Sequence, residues 1–121
     1  MREEDSRGMD LVRLPAVAGY FYPLEAERLR QEVEGLLQKA QASPDPRVRG
    51  LLSPHAGYFY SGKVAAEGFK VLSAWRGRAR RILLLGPSHF VPFLGAAFYP
   101  YRAWATPLGE VAVDLETGAV V

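Results

Sequence analysis

The 121-residue chain has no cysteine and no asparagine, and only three lysines against twelve arginines. Without thiols it forms no disulfide, offers no cysteine nucleophile and brings no thiolate to a metal. Long apolar runs are also missing. Nothing approaches the roughly 18 residues a membrane-spanning helix needs. The first ten residues, MREEDSRGMD, carry mixed charge instead of the apolar stretch of a secretory signal. These absences lead us to expect a cytoplasmic protein without a membrane partner. Charge of one sign is scarce too: the net charge is +2. The one basic cluster, Arg76, Arg78, Arg80 and Arg81, lacks the wide basic face and stacking platforms of a nucleic-acid site. It reads as a solvated connection, and no nucleic acid is expected as partner.

The chain is rich in core-forming side chains. Apolar residues make up 49% and charged residues 23%, the balance of an ordinary globular domain. Residues 1–12 read as a flexible N-terminus and residues 13–121 as a single α/β domain. Pro15 to Pro23 is apolar, aromatic and bounded by prolines, and reads as an extended stretch packed on the core. Residues 24–41 have the clearest helical period: Leu29, Val33, Leu36, Leu37 and Ala40 form one stripe. Acidic residues open that helix and Lys39 closes it, as the helix dipole favours. A second helix is expected from Ser61, as N-cap, to Trp75. Val48 to Ser53 and Arg81 to Leu85 read as short buried strands, the second a continuous apolar run of the kind covered on both faces. Strand, helix and strand in this order predict a right-handed βαβ core, and with it a mostly parallel sheet flanked by helices. Gly95 to Tyr99 and Glu110 to Val113 are further short strand candidates around a turn at Thr106-Pro107-Leu108-Gly109.

The two histidines occupy matching places in this scheme. His55 follows the first predicted strand in Ser53-Pro54-His55-Ala56-Gly57-Tyr58. His89 follows the second in Gly86-Pro87-Ser88-His89. Two parallel strands would bring both to the carboxyl edge of one sheet, where α/β folds bind ligands. Imidazole suits zinc, copper, iron and nickel. A catalytic zinc usually has three protein ligands, however, and a non-heme iron site adds a carboxylate to two histidines. Asp114 is the best carboxylate candidate for that third place. The residues alone leave two other readings open: unrelated loop histidines bonded to backbone, or an acid/base pair without metal. Gly57 to Gly62 lacks the pattern of a phosphate loop. Ser88 lies outside any G-x-S-x-G elbow. The aromatic clusters Tyr20-Phe21-Tyr22 and Tyr58-Phe59-Tyr60 read as core packing.

Four segments together resemble the Memo family, known in prokaryotes as AmmeMemoRadiSam system protein B. They are Pro15 to Pro23, Pro54-His55-Ala56-Gly57-Tyr58-Phe59-Tyr60-Ser61-Gly62, Leu85-Gly86-Pro87-Ser88-His89, and Thr106-Pro107-Leu108-Gly109 through Asp114. The resemblance covers roughly residues 14–115 and implies a fold similar to class III extradiol dioxygenases, which use non-heme iron. It implies that His55 and His89 match two metal-site histidines of the family, with iron, copper or zinc as cofactor, or none in so short a chain. It also implies a second half, which in the family supplies another histidine and a cysteine. The chain therefore reads as a truncated version of that fold: a metal-binding, redox-linked protein incomplete as an enzyme. The alternatives are a non-catalytic peptide- or protein-binding module and a degenerate fragment of the same fold. A half-covered sheet leads us to expect a homo-oligomer, or a protein or peptide partner.

Overall fold

The structure is a computed structural model that describes residues 11–118. It is a small α/β fold of two helices and a three-stranded mixed sheet. The described residues divide into two compact units, residues 16–79 and residues 80–118 with residues 11–15.

The first unit is helical. Helix α1 spans Ala26–Lys39 and helix α2 spans Tyr58–Leu72, continued by a 3-10 turn at Ser73–Trp75. The apolar stripe of α1 faces α2, and Leu29 is its anchor at 4% exposure. Across from it α2 buries Ser61, Gly62 and Ala66. Small side chains there let the helices approach closely: a Cβ on Gly62 would lie 3.2 Å from Leu36 Cδ1. The connection between the helices is tied down by α2. The Glu67 carboxylate accepts the backbone N–H groups of Gln41 (3.0 and 3.1 Å to its two oxygens) and Ala42 (2.9 Å). These donors lie just past the end of α1, so one side chain satisfies the chain where it leaves the helix. Further on, the Asp45 N–H donates to Val71 O (3.0 Å) and Trp75 Nε1 donates to Val48 O (2.8 Å).

The second unit holds the sheet, of order β1-β2-β3: β1 is Val12–Arg13, β2 Ala103–Thr106 and β3 Gly109–Ala112. β1 runs parallel to β2, with Val12 opposite Ala103, and β2 runs antiparallel to β3. A two-residue turn, Pro107-Leu108, closes the hairpin. Thr106 Oγ1 accepts the Leu108 N–H and donates to Gly109 O, both at 3.1 Å. Gly109 takes a φ of 130°, which a side chain would resist. Ala103, at the centre of the sheet, is buried.

Several expectations from sequence are corrected by these elements. The helix predicted over 24–41 forms within two residues of its limits. The second helix starts at Tyr58, three residues earlier than predicted. Ser61 is therefore not its N-cap but a buried first-turn residue; Gly57 takes the cap position. Residues 48–53 and 83–85 join no strand, so the βαβ core does not form among the described residues, and the sheet is mixed. A strand exists only where a neighbour takes its hydrogen bonds, and of the predicted Arg81–Leu85 strand only Ile82 forms an isolated bridge. Pro15 to Pro23 is not extended. Gly19, at a φ of 86°, donates its N–H to Tyr22 O (2.7 Å) and turns the chain back on itself. Gly95 to Tyr99 is irregular, while the turn at 106–109 and a strand over 110–112 are present. The predicted loose start falls largely on residues 1–10, outside the described residues; Val12 belongs to β1.

Three substitutions check this packing. Leu29→Ala is expected to destabilise by about 2–3 kcal/mol in urea unfolding, the lower part of the usual range for a buried leucine because the core is small. At Gly35 in α1 nothing lies within 4 Å of the place a Cβ would take, so Gly35→Ala should stabilise by about 0.5–1 kcal/mol through helix propensity. Gly62→Ala should gain less, since Leu36 must give way.

The Glu67 carboxylate supplies a pH test. Its accepted N–H bonds, from Gln41 first and then Ala42, hold its pKa below the ordinary value of 4.5. A lowered carboxylate pKa contributes stability above the unfolded-state value and loses it as pH falls through the folded one. Glu67→Gln should lower the urea midpoint at pH 7, and the gap from the parent protein should close on acidification below about pH 4.5.

Candidate functional site

His55 lies in the helical unit, on the exposed loop that leads into α2. Three contacts fix that loop immediately after the histidine. The Tyr58 N–H donates to Phe21 O at 2.8 Å. The Ser61 hydroxyl donates to Ala56 O at 2.9 Å. Gly57 runs beside Phe21, where an added Cβ would sit 3.5 Å from the Phe21 Cα and carbonyl oxygen. The first N–H groups of a helix have no partner within the helix. For Tyr58 the partner comes from the turn around Gly19. Two of the motif segments thus meet in space, and His55 projects from the junction.

The same junction opens a cleft of about 390 Å³, lined by residues 19–25 with Arg28, Glu32, Tyr58 and Phe59. At its wall the rings of Tyr22 and Tyr58 lie 5.6 Å apart at 38°. The Tyr58 phenol titrates above its usual 10.0, chiefly because it is half-buried, then because Tyr22 and Glu32 disfavour a second negative charge. The aromatic clusters are not core packing. Tyr20 is 87% and Phe59 93% exposed, and only Tyr22 and Tyr58 are partly covered. The aromatic pattern could have pointed to a cleft: consecutive aromatics beside prolines and glycines cannot all face inward.

His89 lies in the sheet unit, exposed, with its ring 6.4 Å from that of Phe90 in an edge-on arrangement. Its loop closes through Ser88, whose hydroxyl donates to Val91 O (2.6 Å) and accepts the Val91 N–H (3.3 Å). Ser88 is thus engaged in turn formation. Asp114, the carboxylate expected as third ligand, is committed elsewhere. It accepts the Glu116 N–H at 3.0 Å and pairs with Arg81 Nε at 3.2 Å. The Glu116 bond does most to hold its pKa below the ordinary carboxylate range, and Arg81 adds to it. Among the described residues no three His, Cys, Asp or Glu side chains gather into a group able to hold a metal ion. The donors present do not fit a complete metal centre, and no chemical step is derived through one. The basic cluster is partly engaged as well: Arg78 lies over Trp75, 5.4 Å from the ring centre, and Arg81 pairs with Asp114.

Comparison with known proteins places these segments in a family. The profile described as Memo-like protein matches residues 13–119. A MEMO1 family protein of Pyrobaculum arsenaticum is 41% identical over 110 residues, which covers 85% of this chain and 39% of the relative. The MEMO1 family protein MK0963 of Methanopyrus kandleri is 40% identical over 112 residues, 86% of this chain and 39% of the relative. One from Methanosarcina mazei is 39% identical over 105 residues, 87% of this chain and 37% of the relative. The chain spans about two fifths of the length of the curated relatives it matches.

The Tyr58 environment is open to titration. In a spectrophotometric titration of the six tyrosines, one component should ionise later than the rest and vanish in Tyr58→Phe. Since folding holds this phenol protonated, its contribution to stability is present below pH 10 and falls as pH rises beyond it. A Tyr58→Phe titration that keeps the late component would place the effect on another ring.

Proposed function

Because the chain belongs to the Memo-like protein family, we propose that it is a cytoplasmic, metal-binding and redox-linked protein related to the non-heme iron dioxygenases, to which it contributes His55 and His89. Placement carries this reading. Both histidines fall within the matched span, and both sit exposed on loops with a proline one or two residues before them. Imidazole is a fitting donor to iron, copper or zinc. Two imidazoles fall short of the three protein ligands of a working zinc site, so the other donors have to come from beyond this pair. In this reading the chain alone is incomplete as an enzyme, and with catechol-like substrates its iron-loaded form should consume dioxygen at the background rate.

A second reading, a non-catalytic peptide-binding module, is favoured by the aromatic cleft where residues 19–25 meet Tyr58 and Phe59. Exposed tyrosine and phenylalanine offer large, rigid contact area at low entropic cost, a common feature of binding surfaces.

Zinc titration followed by calorimetry separates the two. If His55 and His89 serve one ion, each alanine variant should weaken zinc binding at least tenfold, and the double variant should bind little more weakly than either single one, because contributions to one shared site are not additive. Zinc binding unchanged in either single variant would remove the metal reading and leave the cleft as the functional feature.

A further inference from the structure

Two arginines from separate parts of the helical unit come to rest on one indole. The Arg49 guanidinium lies over the Trp75 ring, 5.0 Å from its centre, and the Arg78 guanidinium lies over the same ring at 5.4 Å. The ring itself is fixed. Trp75 Nε1 donates to Val48 O at 2.8 Å, which also holds the backbone next to Arg49. The N–H groups of Arg78 and Ala79 both donate to Trp75 O, at 2.8 and 2.9 Å, where the chain turns through Gly77 at a φ of 71°. Cations at the end of a helix suit its dipole. That accounts for Arg76 and Arg78, just past α2, but not for Arg49, which comes from the connection between the helices.

No carboxylate neutralises these cations. Among the described residues the ion pairs are Arg30–Glu27, Arg47–Asp45, Arg81–Asp114 and Arg102–Glu110. Arg49, Arg76 and Arg78 are exposed and belong to none of them. Between residues 40 and 79 the only acids are Asp45 and Glu67, and both are committed. Asp45 accepts two side-chain bonds from Arg47, at 3.0 and 2.8 Å, and Glu67 takes the N–H groups of Gln41 and Ala42. Guanidinium binds phosphoryl oxygens through paired N–H donors, and one already seated on a ring loses less freedom in doing so. The two ring distances put the guanidinium carbons no more than about 10 Å apart. One charge-assisted bond of roughly 2.8 Å from each side and the width of a diphosphate group cover that span. At its limit a single phosphate group reaches only one of the two. The patch is too narrow for a nucleic-acid strand, which needs a wider basic face. We propose that Arg49 and Arg78, seated on Trp75, form a binding site for a diphosphate group, with Arg76 adding to the positive field. The inference rests on neither reading of the histidines.

Titration of the full chain with inorganic diphosphate at constant ionic strength, followed by NMR, tests it through the indole N–H signals of Trp75 and Trp104. Trp104 is the control, since it too carries an arginine, Arg13 at 5.4 Å. The Trp75 signal should move saturably while that of Trp104 stays in place, and orthophosphate should bind about tenfold more weakly because it meets one guanidinium instead of two. Arg49→Ala and Arg78→Ala should each weaken diphosphate binding about tenfold for the same reason. Arg30→Ala, at an exposed position of α1, should leave it unchanged. The amide signals of α2 report that each variant keeps its fold. ADP, which carries the same group on a nucleoside, should bind as tightly as diphosphate itself. Four results would overturn the proposal. They are a Trp75 shift that never saturates or that persists in both Arg49→Ala and Arg78→Ala, orthophosphate binding as tightly as diphosphate, ADP binding so much tighter that the nucleoside is what is recognised, or a polyglutamate peptide matching diphosphate, which would make an acidic peptide the occupant.

Discussion

A single backbone hydrogen bond, Tyr58 N–H to Phe21 O, organises the functional end of the helical unit. It joins segments far apart in sequence, one a proline-bounded turn and the other the start of a helix. Without it the first N–H of α2 would need water, and the loop bearing His55 would lose one of the contacts that fix it. The bond exists because both backbones can come close. Gly19 turns the chain at a positive φ that other residues resist, and Gly57 leaves room beside Phe21. The cleft, the tilted pair of Tyr22 and Tyr58 and the raised Tyr58 pKa all follow from that approach.

The economy of the core has the same origin. Among the described residues few are buried, and those are mostly small: Ser61, Gly62 and Ala66 on α2. Close approach of helices replaces bulk, so Leu29 and Leu36 of α1 carry much of the apolar contact. Polar atoms reinforce it. Glu67 takes up two N–H groups that α1 leaves behind, and Trp75 holds the chain at Val48. The helical unit therefore has a satisfied framework, whereas much of the sheet unit is apolar chain facing water.

How much of this is legible in the sequence differs between the two units. The period of Leu29, Val33, Leu36 and Leu37 locates α1 closely, because a helix is specified by its own residues. The start of α2 is harder to place: Ser61 looks like a cap, but its hydroxyl bonds back to Ala56 O from within the first turn. Strands need partners, and a partner is not written in the strand's own pattern. Ile82 to Leu85 has the composition of a buried strand, yet Ile82 forms only an isolated bridge and 83–85 join no strand. β1 and β2 pair well but are too short to show a period. The family motifs mark segments that matter: those around Gly19 and Gly57 do come together. They do not reveal that Asp114 is taken by Arg81 and by its own turn, since a carboxylate's partners are set by tertiary packing.

The Phe21–Tyr58 tie, and not the helix itself, holds the loop that presents His55. Amide hydrogen exchange of Tyr58, resolved by NMR, tests this most directly. An N–H in the first turn of a helix ordinarily exchanges fast for want of an acceptor. With the tie in place, the Tyr58 amide is expected to be protected to the same order as that of Ala66 in the middle of α2. A Tyr58 amide that exchanges as rapidly as a solvent-exposed one, while Ala66 stays protected, would contradict it.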